Sequence, residues 1–335
     1  MDFWLIVFGW QEVNILYTVN NNFIPQLAAG ICSICENNKD ANHVDFYVFG
    51  DGIASDNKEI LSRFVAGYGR HIHFIDIDGS VVAAGFGVDT GAWNGIVMAR
   101  LLIARLLPQD IDKVLYLDGD TIVRGSLLNL WDSNPAEGVL SMAMEPTASR
   151  PRRKELGIEQ LPYFNAGVLL VDLKKWREND VETRILDYCA KNGSYLFAND
   201  QDAINVVLSE EIDAIPPKYN ASNVFSYYPY SFLHRLMPQF SSEKEYMDAR
   251  EDPVIVHYLG EERPWRKGNT HAYRLEYSKY LSMTPFADTA LEAGWEMYFI
   301  LWRLFNAATK HFPSLRYKVI DCLIPSFLKL KSRAK

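Results

Sequence analysis

Cysteine is scarce in this chain: Cys32, Cys35, Cys189 and Cys322 among 335 residues. That is too few for a disulfide scaffold at this length and points to a reducing setting. Cys32-x-x-Cys35 has no second pair to complete a zinc site. It falls well inside an expected helix (Ile24 to Glu36), away from the first turn where a redox thiol gains from the helix dipole, so both thiols are expected to be buried. No apolar stretch reaches the ~18 uninterrupted residues of a membrane span. The apolar run Phe3 to Trp10 has no basic residue before it, unlike a signal peptide. These absences lead to the expectation of a protein made and kept in the cytoplasm. Positive charge is also in deficit, with a formal net charge of −8, which argues against a nucleic-acid partner. There is no internal repeat, no low-complexity tract and no glycine-rich phosphate loop near residue 20.

What is present is a globular composition, 48% apolar and 23% charged, which excludes a disordered chain. Short apolar runs alternate with longer amphipathic ones. Asn14–Val19, Val44–Phe49, His71–Ile77, Lys113–Leu117, Val139–Met144, Ala166–Val171 and Val254–Tyr258 read as strands. Ser55–Tyr68, Trp93–Leu107 (stopped by Pro108), Leu173–Lys191 and Asp200–Leu208 read as helices, and 209–256 as irregular. This order implies an α/β fold with a mainly parallel central sheet flanked by helices, and ligands bound beyond the carboxyl ends of the strands. After about residue 290 the composition shifts. Trp295, Tyr298, Phe299, Trp302 and Phe305 crowd together. Arg303, Lys310, Arg316, Lys318, Lys329, Lys331, Arg333 and Lys335 follow, with Asp321 as the lone acid. Such a tail fits either a membrane-surface segment or a helical cap over the domain or an oligomer contact.

Four short segments carry candidate chemistry. In Lys113-Val-Leu-Tyr-Leu-Asp118-Gly119-Asp120 an apolar strand ends in two carboxylates two residues apart, on the same side of an extended chain. Hard oxygen ligands so placed suit a divalent cation that neutralises a departing diphosphate. Taken alone, the same pattern is more often a solvated turn. His257, ending Val254-Ile-Val-His257, would complete the shell and lean the choice toward Mn2+ over Mg2+. A lone histidine is more often a core or surface residue. Asn199-Asp200-Gln201-Asp202 fits either a helix start, with Asn199 as the cap, or polar groups facing a sugar. Phe164-Asn165-Ala166-Gly167 allows close ligand approach or makes a tight turn.

Together, in this order, these segments resemble the family 8 retaining glycosyltransferases, above all the bacterial lipopolysaccharide galactosyl- and glucosyltransferases. The resemblance runs from about Asn14 to Arg266 through LYTVNNNF, ARLLIARLLP, KVLYLDGDTIV, NAGVLLVDLKKW, NDQDAIN and HYLGEERPW. It implies a GT-A nucleotide-sugar fold over residues 14–268. A short extension (1–13) would precede it, and a C-terminal helical, aromatic and basic region that associates with membrane (269–335) would follow. It implies a UDP-sugar donor, UDP-galactose or UDP-glucose, with Mn2+ (Mg2+ as the alternative) on Asp118, Asp120 and His257. Asn165 and Gln201 would stand by the transferred sugar, with Asp200 holding its hydroxyls and Glu145 close by. Arg100 would reach the donor sugar or diphosphate. Tyr17, Val19 and Asn22 would surround the uridine, Gly119 would sit in the cation turn, and Gly260 and Arg263 would bind phosphate. The implied acceptor is a surface glycan or lipid-linked glycan, at the inner face of the cytoplasmic membrane.

The chain departs from the family pattern at three places. Asn20-Asn21-Asn22 stands where an acid is common. Arg263 replaces the lysine of the Gly-x-x-Lys-Pro-Trp loop, and arginine still binds phosphate, bidentately. Glu145 replaces a shorter aspartate, which leaves the donor sugar open. Retention is implied, and a same-face displacement is preferred to a covalent intermediate because the position facing the sugar is Gln201, a neutral amide. Two other readings are a sugar-nucleotide phosphatase or nucleotidyltransferase, disfavoured by the missing phosphate loop, and a binding-only pseudoenzyme. The intact Asp118, Asp120, Gln201 and His257 argue against the latter.

Overall fold

A computed structural model describes residues 12–41, 43–87, 95–133, 135–192, 196 and 198–333, with side chains to residue 323. Nine strands are found among them: β1 (Glu12–Asn20), β2 (His43–Asp51), β3 (His71–Asp76), β4 (Lys113–Leu117), β5 (Thr121–Val123), β6 (Leu140–Met144), β7 (Phe164–Asp172), β8 (Ile212–Ala214) and β9 (Ile255–His257). Seven form one sheet in the order β3-β2-β1-β4-β7-β6-β8, and β5 pairs with β9 in a small second sheet. β7 alone runs against its neighbours β4 and β6, while β1 is parallel to β2 and β4, β2 to β3, and β6 to β8. The main sheet is therefore mostly parallel, as the alternation of apolar and amphipathic runs implied.

The strands are apolar throughout because both faces are covered. Period-two alternation sends Leu16, Tyr47, Phe49, Tyr116, Leu169 and Val171 into one core layer. It sends Ile15, Tyr17, Val48, Leu115, Val168 and Leu170 into the other, under the Ile24–Asn37 helix. Cys32 and Cys35 lie buried in that helix, and burial raises both thiols above their ordinary range. The chain order 3-2-1-4 reverses at β1, so the sheet's switch point falls between the carboxyl ends of β1 and β4. Asp118 and Asp120 follow β4 at that place. β7, being reversed, brings its first residues, Phe164 and Asn165, to the same end.

Several elements differ from their sequence reading. β1 begins at Glu12, inside the expected extension, whose first eleven residues lie outside the described ones. Of the expected Trp93–Leu107 helix, Trp93 and Asn94 lie outside the described residues. Gly95–Leu102 is a 3-10 helix that becomes α-helical only at Ile103–Leu106. Gly95 packs directly against backbone, since a Cβ there would stand 2.2 Å from the Gly79 carbonyl oxygen. Leu173–Lys191 is two helices, Leu173–Glu178 and Val181–Asn192, broken where Asp180 adopts a left-handed φ of 49°. Short polar residues tolerate that conformation better than most, so Asn179-Asp180 is where the pattern yields. The stretch 209–256 is not irregular. It holds β8, a 3-10 turn at Pro217–Tyr219, and helices Val224–Tyr227, Tyr230–Leu236 and Glu243–Glu251. The last opens with a Ser242/Glu245 capping box. The tail forms two helices, Glu296–Thr309 and Pro313–Arg333. No helix among the described residues is long and apolar enough to cross a membrane.

Candidate active site

Residues far apart in sequence meet beyond the carboxyl end of β4. β5 and β9 pair with Thr121 opposite His257, which sets Asp120 beside the imidazole. The Asp118 amide donates to the Gly167 carbonyl at 2.8 Å, and the Tyr258 amide to the Asp120 carbonyl at 2.9 Å. One ligand atom each from Asp118, Asp120 and His257 fall within 4.8 Å of one another. His257 Nε2 is 3.3 Å from Asp120 and 3.7 Å from Asp118. Gly167 makes this approach possible, since a Cβ there would stand 2.3 Å from His257 Cε1.

A chain of side chains fixes which imidazole nitrogen faces the carboxylates. The Gly167 amide can only donate, so Asn165 Oδ1 accepts from it at 2.9 Å. Asn165 Nδ2 then points at Glu145, 3.2 Å away, and Asn220 Nδ2 donates to the same Asn165 Oδ1 at 2.9 Å. Asn220 Oδ1 is left to accept from His257 Nδ1 at 2.8 Å. Nδ1 thus carries the ring proton, and Nε2 presents its lone pair to two carboxylates. Such an arrangement calls for a positive charge at Nε2, either a second proton or a cation. Burial opposes charge on both Asp120 and His257. Their mutual attraction prevails, aided by Arg263 on the aspartate, holding the carboxyl below and the imidazole above its ordinary value.

Two arginines flank the cluster. Arg263 Nη2 lies 3.3 Å from Asp120, and its guanidinium stands between the Phe23 and Trp265 rings, 5.6 Å from each centroid. Its Nε is buried without a partner among the described residues, an orphaned donor beside the acidic turn. Gly260, three residues after β9 ends at His257, adopts φ 77°, the left-handed region glycine allows, and bends this loop back. Arg100 is enclosed and internally committed. It pairs with Asp118 at 3.0 Å and Asp200 at 2.9 Å, and donates to the Ala166 carbonyl at 2.6 Å. Tyr116 lies under it, 4.5 Å away, and donates to Asp118 at 2.6 Å.

The Asn199–Val207 helix brings up the remaining polar groups. Asn199 has φ 46° and does not cap the helix; Asp202 accepts the Ala198 amide at 2.8 Å instead. Asp202 also binds the Tyr163 hydroxyl and Arg152, so it anchors the helix. Gln201 is held at both ends, with Oε1 accepting from the Ala166 amide at 2.9 Å and Nε2 donating to the Tyr163 hydroxyl at 3.2 Å. Burial pushes the Asp200 carboxyl up to about 6, against the pull of Arg100. A cleft beside His257 is lined by Glu145, Asn165, Asn220, Phe225 and Leu259.

The structure thus draws Asp118, Gly119, Asp120, His257, Arg100, Arg263, Glu145, Asn165, Asp200 and Gln201 into one region. A Cβ on Gly119 would touch Val19 at 3.0 Å, so Val19 borders the acidic turn. Tyr17 stands behind, 1% exposed, in the core. Asn22 is exposed at the rim, its amide donating to Asn20 Oδ1, while Asn21 Oδ1 accepts from the Ala54 amide and Asn57. Sequence reading missed Tyr116, whose i, i+2 spacing from Asp118 was a usable signal. It also missed Tyr163 and Asn220, and nothing local marks Asn220.

Residues 14–268 match the family model described as Glycosyl transferase family 8. General stress protein A of Bacillus subtilis is 27% identical over 281 residues, covering 82% of this chain and 95% of that protein. A lipopolysaccharide 1,2-glucosyltransferase of Escherichia coli K12 is 25% identical, over 86% and 83% of the two chains. Among solved structures, galactosyltransferase LgtC, in complex with donor and acceptor sugar analogs, superposes with a TM-score of 0.71 at 25% identity, covering 85% of this chain and 99% of that one.

Proposed function

The chain belongs to glycosyl transferase family 8, and from that premise we propose that it moves a hexose, galactose or glucose, from a UDP-sugar to a surface glycan or lipopolysaccharide-type acceptor with retention. The observation that carries this reading is the convergence of Asp118, Asp120 and His257 at the switch point, beside an arginine with an unpartnered buried donor. The donor set fits a divalent cation. Two carboxylates and a histidine whose Nε2 lone pair is turned toward them favour Mn2+ over Mg2+. Held there, the cation supplies charge neutralisation for the leaving diphosphate.

The chain's own residues do the rest in this reading. Arg263 turns its free Nε toward phosphate and shares the leaving group's charge. Val19 and Asn22 border the uridine, and Tyr17 supports them from the core. Arg100 keeps Asp118 and Asp200 in place, and Asp200, Asn165 and Glu145 hold the sugar. Gln201, a neutral amide bound at both ends, is no nucleophile. The acceptor oxygen therefore bonds to the anomeric carbon on the face from which the phosphate oxygen departs, and that oxygen takes the acceptor's proton. A sugar trapped covalently on the protein would overturn this route. Residues 14–268 form the catalytic unit, and 269–335 attach it to an anionic membrane surface, on the inner face of the cytoplasmic membrane.

UDP release is the deciding measurement, made with Mn2+ over a panel of nucleotide sugars, with and without EDTA. Turnover of one UDP-hexose, abolished by EDTA and by Asp120→Ala, is expected. Cation-dependent UDP binding with no turnover in the presence of glycan acceptors would contradict the proposal.

A further inference from the structure

β2 and β3 begin side by side at the end of the sheet opposite the acidic turn. Asp45 on β2 is in register with His71 on β3, and His43 lies two residues before Asp45, so all three project on one face. His43 Nε2 is 3.2 Å from Asp45 Oδ2, and His71 Nδ1 is 3.2 Å from Asp45 Oδ1. One ligand atom from each of the three fall within 4.8 Å of one another. The Asp45 side chain is 11% exposed, His43 37% and His71 63%, so the group is anchored on one side and open to solvent on the other. β1 adds two more oxygen-bearing side chains on the same face: Glu12, in register with His43, and Asn14, in register with Asp45. Asn14 is 7% exposed, and its Oδ1 has no hydrogen-bond partner among the described residues.

The spacing is informative. Hydrogen bonds to an ionised carboxylate usually close to about 2.7–2.9 Å. Both contacts here stay at 3.2 Å, each to a different oxygen of Asp45, and one ligand atom from each residue lies within 4.8 Å of the others, close enough for a shared cation to draw them in. Two imidazoles and one carboxylate are also a borderline donor set, suited to Zn2+, Co2+ or Ni2+ and poorly suited to Mg2+ or Ca2+.

We propose that His43, Asp45 and His71 bind a transition-metal cation of the Zn2+ class, at a site separate from Asp118, Asp120 and His257. Water completes the shell on the exposed side. The cation ties edge strand β3 to β2, so its role is structural and its binding raises stability with the logarithm of free metal once that exceeds the dissociation constant. The inference does not depend on the transferase reading, because it uses none of the same residues.

Co2+ serves as the probe, its visible absorption reporting coordination by the protein. The full chain carrying Asp118→Asn and Asp120→Asn, which disables the first cluster, is titrated with Co2+ and its thermal midpoint is followed with added Zn2+. One bound Co2+ per chain and a midpoint that climbs with Zn2+ are expected. Adding His71→Ala, an exposed change, should weaken Co2+ binding at least tenfold and abolish the Zn2+-dependent climb. His43→Ala, checked for fold by circular dichroism, should do the same. Absence of Co2+ binding in the doubly substituted chain, or binding indifferent to His71→Ala, would overturn the proposal.

Discussion

The Nδ1 of His271 accepts the Tyr273 amide at 3.1 Å, so its proton sits on Nε2, buried and without a partner among the described residues. A second proton at Nδ1 would break that bond at a position only 4% exposed. Burial, with Arg274 nearby, accordingly holds this histidine down at about 4. Between about 6.5 and 4 the unfolded chain binds a proton that the folded chain refuses, so stability rises with pH there. The contribution is fully present above the unfolded value, is lost as pH falls toward 4 and levels off below it, about 3 kcal/mol in all. Urea unfolding at pH 7 and pH 4 should show this loss in the native sequence, and His271→Gln should reduce it. Asn220 is another single residue with a long reach. It fixes the His257 tautomer without facing the carboxylates itself. Asn220→Ala should weaken Mn2+ binding by about 10- to 100-fold, as losing a partner that orients a ligand does. Calorimetric titration reads this directly, and an unchanged affinity would remove Asn220 from the role.

Elements converge at the site through close backbone approach. β7 passes so near β9 that Gly167 leaves no room for a side chain, with a Cβ 2.6 Å from His257 Nδ1 and 3.0 Å from Asn165 Oδ1. Gly167→Ala must push the imidazole away or part the strands. It should cost about 1–3 kcal/mol of stability, as overpacking does. It should also abolish cation binding at Asp118 and Asp120 even in the fraction that stays folded. Denaturant midpoints and a Mn2+ titration separate the two effects. The reversal of β7 has the same consequence at the level of the sheet. A parallel β7 would carry Asn165 to the opposite end, away from Asp118. The 3-10 turns at Gly95–Leu102 likewise deliver Arg100 between Asp118 and Asp200, in keeping with the frequent use of tight helix at functional positions.

At the scale of the whole molecule, the tail is both packed and exposed. Phe299 is buried, and Gly268 lies so close that a Cβ would stand 3.2 Å from Glu296 Cα. Arg316 is enclosed over the Tyr227 ring, and Tyr227 hydrogen-bonds Glu262 in the loop that carries Arg263. The other face of the Glu296–Thr309 helix shows Met297, Leu301 and Leu304 to solvent at 59–65% exposure, next to Arg303. An apolar stripe beside basic residues suits an anionic lipid surface. Changing Met297, Leu301 and Leu304 to serine should lower sedimentation with anionic vesicles at least tenfold, while UDP release to a soluble acceptor stays the same. Binding that survives these changes would exclude this stripe as the membrane contact.

The sequence by itself determined seven of the nine strands found among the described residues, but not the three-residue β5 and β8, and it placed helices near them, because apolar runs and periodicity are local. It also supplied the Asp118-Gly-Asp120 turn after β4, since a buried strand ending in acids shows in consecutive residues. It did not determine the helices within 209–256, where aromatic and polar residues mix without a clean period and packing decides the outcome. Nor did it reveal that β7 runs backwards, that Arg100 and Gln201 spend their polar atoms on the protein, or that Asn220 completes the histidine's hydrogen bonds. The pairing of His43 and His71 across Asp45 was equally invisible, since 28 residues separate the histidines and only the parallel register of β2 and β3 sets them together. Those facts depend on which backbone groups meet across the sheet, and only tertiary structure specifies that.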